Sequence, residues 1–280
     1  MCLAGPAAGE RYIRVDPRWL AGPAGWQALL ADEGGRALSG VGDLLEPASD
    51  GASSASVFLD VWVLSVSGVR ADQADVSVLD EHERQRAAKF VRDVDRHSYL
   101  SSHIALRQVL SRHLDTPPGQ VEFIREACPN CGASHGRPAV PGHPVHFSLS
   151  HGGDLALVAV AGAPVGVDVE AVPKEQVAAE LSTRLHPDEQ CEIAAAEHPR
   201  LAFARVWTRK EAYLKGIGTG LSRSLSADYL GGTGLAALPN GWSVLDVPVP
   251  AGYAGAVALC GAAPDLRVLE LPPAVVELRR

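Results

Sequence analysis

Apolar runs of strand length recur along this chain of 280 residues. A β-branched and aromatic run at 57–66 predicts the first strand, and runs at 121–125, 145–150 and 155–161 predict three more. A second group of apolar runs follows at 164–172, 242–249 and 253–261. The pattern therefore predicts two groups of strands, separated along the chain.

Between these strands the sequence predicts helices at 77–90, 92–114, 174–184, 187–197 and 200–216, with Asp93 as the candidate cap of the second. Each group then has the order strand, helices, antiparallel strands. That order predicts an α+β protein with two similar halves, although no sequence identity between them is visible. We place the N-terminal half at 56–163 and the C-terminal half at 164–280.

Residues 1–55 differ in composition, because they are rich in Ala, Gly, Pro and Ser. Segments of this kind bury too little apolar surface to offset the entropy of ordering the chain. We therefore predict an N-terminal extension that is extended or partly disordered, with one short helix at about 26–31. No chemistry is assigned to it.

Charge and composition exclude several classes of function. A net charge of −8 with 46% hydrophobic residues is typical of a globular protein and argues against a general nucleic-acid binder. The longest apolar run, 155–167, contains Gly162 and Pro164 and does not predict a membrane span. The first residues do not resemble a secretory signal, and five cysteines, an odd number, indicate reduced thiols. We expect a cytoplasmic protein.

Two acidic residues interrupt the apolar strand at 164–172. Asp168 and Glu170 are two residues apart, so both carboxylates project from one face of the strand. Neighbouring like charges are costly in an apolar setting unless a cation or basic groups neutralise them, and Mg²⁺ prefers such oxygen ligands. The alternative interpretation is that these acids mark the exposed end of a strand.

A further candidate segment is the predicted helix that contains "WTRKEAYLK". Trp207, Ala212, Leu214 and Ile217 could form its buried stripe, and Glu211 and Lys215 are four residues apart on one face. Either they form an ordinary ion pair on a solvated helix, or they belong to an active site.

Residues suited to phosphate binding occur in three other places. Ser150 and His151 lie where a strand enters a glycine turn, and Arg137 precedes the rigid Pro138. Positive charge also collects in the first helical region, at Arg84, Arg86, Lys89, Arg92 and Arg96. These residues either dock a multiply phosphorylated ligand or form solvated surfaces.

The segment "CPNCGASH" contains half of a zinc-binding pattern. Cys128 and Cys131 are separated by two residues, and His135, His143 and His146 follow. One or two imidazoles would complete a tetrahedral site. A reduced, metal-free pair of thiols or a reversible disulfide is equally compatible with the pattern.

Taken together, the motifs resemble the 4′-phosphopantetheinyl transferases of the Sfp type over residues 57–265. The resemblance rests on their order along the chain: F-x4-D-x-H-x9-R (Phe90, Asp95, His97, Arg107), G-R-P, F-S-L-S-H, G-V-D-V-E and W-T-R-K-E-A-Y-L-K. Such enzymes transfer the phosphopantetheine arm of coenzyme A to a serine of an apo carrier protein. The resemblance implies a pseudo-dimer of two α+β halves, with the active site in the cleft between them.

The resemblance also implies roles for individual residues. Asp168, Glu170 and Glu211 would hold Mg²⁺. Glu211 would accept the serine proton, directly or through metal-bound water, and Lys215 would stabilise or protonate the leaving phosphate. Contacts with coenzyme A are implied for Arg86, Arg137, Pro138, Ser150, His151 and Lys215. The expected partners are coenzyme A and apo carrier proteins, with neither nucleic acid nor membrane, and we expect a monomer.

Two other classes of function remain open at this point. One is a relative that binds carrier domains or coenzyme A without catalysis, and the other is a metal-dependent phosphohydrolase built on the same acids. The sequence does not distinguish fatty-acid, polyketide and nonribosomal-peptide carriers.

Overall fold

Groups of strands and groups of helices follow one another in the computed structural model, which describes residues 12–15, 58–231, 239–262 and 265–277. The mixture of helices and sheets confirms the α+β class. The helix predicted at about 26–31 lies outside the described residues.

The described strands include one at each of the seven predicted apolar runs, with bounds that differ by at most three residues. They are β1 (Tyr12–Val15), β2 (Leu59–Ser65), β3 (Ile124–Arg125), β4 (Pro138–Ala139), β5 (His146–Gly152), β6 (Leu155–Ala161), β7 (Val165–Ala171), β8 (Trp242–Asp246), β9 (Tyr253–Cys260) and β10 (Leu266–Glu270). The helices are α1 (Glu81–Ala87), α2 (Asp93–Leu114), α3 (Glu175–Ser182), α4 (Pro187–Ala195) and α5 (Pro199–Ile217). All five predicted helices outside the N-terminal extension are therefore present.

Two sheets carry most of the strands. The larger has the order β1-β10-β2-β6-β5, in which β10 runs parallel to β2 and the other neighbours are antiparallel. The smaller has the antiparallel order β7-β9-β8, and β3 pairs with β4 in a short hairpin. Apolar side chains from both sheets, including Leu59, Leu157, Val167 and Val257, form one shared core. This core holds β7 beside β5 and β6.

Two strands of the larger sheet were not predicted. β10 has only five residues, and β1 lies in the segment for which we predicted an extended or partly disordered chain. Both depend on pairing with distant strands, since β10 joins β2 across about 200 residues. As a consequence, the chain returns to the larger sheet after completing the smaller one.

The start of α2 also differs from the predicted cap. Arg92 is the N-cap residue and its side chain makes no capping bond, whereas Asp93 is the first helical residue. Asp93 pairs with Arg96, and Arg92 pairs with Asp95 at 2.7 Å. Acidic side chains in a first turn are still favourable, because they interact with the positive end of the helix dipole.

The buried guanidinium of Arg107 connects α2 to α1. Its Nε donates to Glu83 at 2.7 Å and its Nη2 to Asp80 at 2.8 Å, while Nη1 reaches the carbonyls of Pro118 and Val121. Such a buried charge is tolerated because nearly all its donors are satisfied. Arg107, a residue of the motif set, therefore has a structural role in holding α1 against α2.

Helix α5 crosses β7 at very short range, and two glycines allow it. A Cβ on Gly166 would lie 1.9 Å from the carbonyl oxygen of Ala212 and 2.4 Å from the nitrogen of Gly216. A Cβ on Gly216 would lie 2.6 Å from the Trp242 ring. Any larger side chain at either position would push the helix away from the strand.

None of the described helices is both long and apolar enough to cross a lipid bilayer.

Candidate active site

Three neighbouring elements bring the predicted acids and their partners together. On β7, Val167 and Val169 face the core shared by the sheets, so Asp168 and Glu170 face the opposite side. That side is covered by α5, which contributes side chains that are four residues apart. The predicted acid cluster is thus a direct result of the close approach of α5 to β7.

Lys215 is the centre of a hydrogen-bonded group. Its Nζ lies 2.7 Å from Asp168 Oδ1, 2.9 Å from Ser150 Oγ and 3.1 Å from the carbonyl of Val167. The hydroxyl of Ser150 also donates to Asp168 Oδ1, at 2.8 Å. The ion pair of Lys215 is therefore with Asp168 on β7 and not with Glu211 on its own helix.

The positive charge near these carboxylates is too small to neutralise them. Burial, together with the charges of Asp168 and Glu211 and against the opposing effect of Lys215, raises the pKa of Glu170 to about 7. Burial and the charge of Asp168 also raise the pKa of Glu211. One lysine thus faces three acidic side chains.

One oxygen of this cluster has no hydrogen-bond partner. Asp168 is buried and uses Oδ1 for Lys215 and Ser150, but its Oδ2 is buried without a donor among the described residues. An unsatisfied carboxylate oxygen is costly, and a cation would satisfy it. Carboxylates are the ligands that a hard divalent cation such as Mg²⁺ prefers, although the ligand oxygens of Asp168, Glu170 and Glu211 do not all lie within 4.8 Å of one another in this structure.

A cavity of about 1020 Å³ opens beside this cluster. Of the residues predicted to contact coenzyme A, five line it: Arg86, Arg137, Pro138, His151 and Lys215. Ser150 and the three acids do not line it, but Ser150 and Asp168 connect to it through Lys215. Seven predicted site residues therefore lie in one connected region, whereas Glu170 and Glu211 are linked to it only through the electrostatic effects of Asp168 and Lys215.

The predicted basic region contributes one clear side chain to this cavity. Arg84, Arg92 and Arg96 each pair with an acid of their own helix region, and Lys89 is exposed away from the cavity wall. Arg86 lines the cavity and forms no ion pair with any residue in the part of the chain that the structure describes. Its charge is therefore available to an anionic ligand.

Arg137 is bound within the protein. Its Nε donates to Glu126 at 2.7 Å, and its Nη1 donates to the carbonyl of Gly216 at 2.8 Å. The second bond satisfies a carbonyl near the C-terminal end of α5, where a positive side chain is favourable. Arg137 thus connects the β3–β4 hairpin to the helix that carries Lys215.

Some residues of this region escaped the sequence analysis. Tyr99 and His103 line the cavity one helical turn apart on α2, with ring centroids 3.8 Å apart. Burial lowers the pKa of His103 to about 4, so this ring is neutral at pH 7. Single residues on a long helix carry no local signal, which is why only the fold reveals them.

Lys210, which belongs to the same motif as Lys215, has a different environment. It is buried, pairs with Glu189 of α4 at 2.9 Å and donates to the carbonyl of Asp228 at 2.5 Å. Glu189 also accepts a bond from the backbone N–H of Leu230. This lysine therefore holds α4, α5 and the 228–230 segment together and does not line the cavity.

Comparison with protein families supports the motif-based resemblance. The N-terminal model of the 4′-phosphopantetheinyl transferases matches residues 70–163, and the model of the 4′-phosphopantetheinyl transferase superfamily matches residues 164–230. The two matched regions adjoin and together cover more than half of the chain. The chain belongs to the 4′-phosphopantetheinyl transferase superfamily.

Individual relatives agree with this assignment. The chain is 30% identical over 191 residues to a phosphopantetheinyl transferase of Thraustochytrium, an alignment that covers 60% of this chain and 63% of the relative. It is 25% identical over 156 residues to the transferase Sfp of Bacillus subtilis, covering 54% of this chain and 66% of Sfp. It is 28% identical over 213 residues to HetI of Nostoc, covering 72% and 87%. The chain thus spans less than two thirds of the length of the first two relatives.

The raised pKa of Glu170 predicts a specific dependence of stability on pH. Between the ordinary value of 4.5 and about 7, the folded protein retains a proton that the unfolded chain has released. The metal-free protein therefore loses stability as the pH rises through this window, and Glu170→Gln removes that loss. We expect the free energy of unfolding of the variant, relative to wild type, to rise between about pH 5 and 7 and then level off.

The measurement is urea unfolding of both proteins in the presence of a chelator across that pH range. A difference in unfolding free energy that does not change with pH would show that Glu170 titrates alike in the folded and unfolded states.

Proposed function

We propose that this protein transfers the 4′-phosphopantetheine arm of coenzyme A to a serine of an apo carrier protein and releases adenosine 3′,5′-bisphosphate. The observation that carries the proposal is a cluster of three acids that a single lysine, Lys215, does not neutralise. The cluster lies beside a cavity of about 1020 Å³ that is lined by Arg86 and His151. Membership of the transferase superfamily supports the same reaction.

Three acids would hold the cation of this reaction: Asp168, Glu170 and Glu211. The unsatisfied Oδ2 of Asp168 and the raised pKa values of both glutamates fit a cation at this position. When bound, Mg²⁺ would neutralise charge on the diphosphate of coenzyme A and orient the reacting groups for in-line displacement.

Glu211 is the proposed general base for the carrier serine. Its pKa is raised by burial and by Asp168, so it is a stronger base than an exposed carboxylate. In the transfer step the serine oxygen forms a bond to the β-phosphorus of coenzyme A, the phosphoanhydride bond breaks, and Glu211 takes the hydroxyl proton. The leaving group is the phosphate of adenosine 3′,5′-bisphosphate.

Lys215 is the proposed stabiliser of that leaving group. Its ammonium is held by Asp168 and Ser150 and reaches the cavity surface. A fixed positive charge at this point opposes the negative charge that develops as the phosphoanhydride bond breaks. Desolvation and the charge of Lys215 lower the pKa of His151, so its neutral imidazole would contact phosphate through a hydrogen bond.

The rest of coenzyme A would occupy the cavity. Arg86 is suited to the 3′-phosphate because its guanidinium is free of protein acids within the described part of the chain. Arg137 and Pro138 would border the adenine, with Arg137 mainly holding this wall through Glu126 and Gly216.

The two halves at 56–163 and 164–280 are proposed to form a pseudo-dimer with the active site in the cleft between them, except that β10 of the second range belongs to the larger sheet. In support, the cavity is lined both by α1 and α2 and by the end of α5. We propose a monomer, because the two sheets of this chain already pack against each other through a shared core.

The transfer itself is tested by incubating the protein with coenzyme A, Mg²⁺ and an apo carrier protein. We expect the carrier to gain the mass of one phosphopantetheine arm on its serine, and a serine-to-alanine carrier to gain none. Binding of an unmodified carrier would indicate a non-catalytic relative. Hydrolysis of coenzyme A without a carrier would indicate a phosphohydrolase.

The role of Lys215 is tested separately by Lys215→Ala. Because its charge opposes charge that develops only in the transition state, we expect kcat to fall about 100-fold while KM for coenzyme A changes less than about threefold. Lys174→Ala, which removes an exposed lysine outside the cavity, is the matched control and should leave both constants unchanged. A rise in KM with unchanged kcat would make Lys215 a ground-state binder.

A further inference from the structure

A short loop outside the acid cluster brings three metal-binding side chains together. It closes the hairpin of β3 and β4, whose ladder continues through Glu126 and Arg137. Within the loop, the backbone N–H of Gly132 donates to the carbonyl of Cys128, and the N–H of Cys128 donates to the carbonyl of Ala133, both at 2.8 Å. Gly132 has φ +74°, a left-handed conformation that suits glycine. The backbone thus folds into a tight knuckle.

The ligand atoms of Cys128, Cys131 and His135 all lie within 4.8 Å of one another. The sulfur of Cys131 is 3.0 Å from Nε2 of His135. In a tetrahedral zinc site, the Zn–S and Zn–N lengths place neighbouring ligand atoms about 3.5 to 3.8 Å apart. The three ligand atoms therefore already lie near the spacing of a tetrahedral site.

The backbone of the knuckle also surrounds the sulfur of Cys128. Backbone N–H groups of Asn130 and Cys131 hydrogen-bond to this sulfur. Both cysteines are free thiols in the structure. Two sulfurs and an imidazole suit Zn²⁺, whereas the carboxylates around Lys215 suit Mg²⁺.

We propose that Cys128, Cys131 and His135 bind one Zn²⁺ ion, with water at the fourth position. Cys131 and His135 are exposed, so solvent can reach that position. A second group, Glu126, His143 and His146, is also close enough to share an ion. Its carboxylate is already paired with Arg137 at 2.7 Å, which makes it the weaker candidate.

An ion bound in this knuckle would also affect the structure around it, because the knuckle contacts neighbouring segments. Asn130 contacts Ser222 at 3.4 Å, and the segment around Gly218 lies against Pro129 and Arg137. His135 and Arg137 line the cavity, and Arg137 binds the carbonyl of Gly216. Zinc would therefore fix the wall of the cavity and the turn that follows α5, at a distance from the reacting atoms.

The test is the metal content of protein expressed with added zinc and purified without a histidine tag. We expect about one equivalent of zinc per chain in the wild type and less than about a tenth in Cys128→Ser, Cys131→Ser. Cys191→Ser, at an exposed cysteine elsewhere, and His143→Ala should both retain the metal. These measurements require no transfer activity, so their outcome is independent of the proposed function.

A second measurement applies if the double variant fails to fold. Cobalt added to the metal-free wild type should produce a thiolate-to-cobalt charge-transfer band and raise the melting temperature. Less than about a tenth of an equivalent of zinc, with no such band, would overturn the proposal. So would a mass lower by two hydrogens, which marks a disulfide, or loss of zinc in His143→Ala alone.

Discussion

The candidate active site depends on one contact, the close crossing of α5 over β7. Gly166 and Gly216 leave no side chain between the two backbones, so the helix lies where a Cβ would collide with Ala212. At this separation the acids of β7 reach the helix, and Lys215 can bond to Asp168, Ser150 and the Val167 carbonyl at once. Moving the helix outward would break this group as a unit, because its members lie on three different elements.

That contact also creates the electrostatic imbalance on which the chemistry rests. Burial beside Asp168 raises the pKa values of Glu170 and Glu211, and a single lysine does not neutralise three acids. No donor among the described residues reaches Oδ2 of Asp168, and this missing hydrogen bond reflects the same deficit of positive charge. A site arranged in this way is costly for the free protein, and the proposed cation would relieve that cost on binding.

The sequence predicted the parts of this site that follow from local pattern. The alternation in "GVDVE" placed Asp168 and Glu170 on one face, and helical spacing placed Glu211 beside Lys215. The sequence did not predict that Lys215 would pair with Asp168, because this pairing depends on the distance between α5 and β7. For the same reason it missed β1 and β10, whose partners are remote in sequence, and the stacked Tyr99 and His103.

The most direct test is to measure the binding of Mg²⁺ to protein saturated with coenzyme A. The binding is measured by calorimetry at about pH 7 in two buffers of different ionisation enthalpy. The account predicts one site per chain and net release of protons, because the cation lowers the raised pKa of Glu170. Asp168→Asn should lose most of this binding. Equal binding by the variant and the wild type, or binding without proton release, would contradict the assignment of these acids as the metal site.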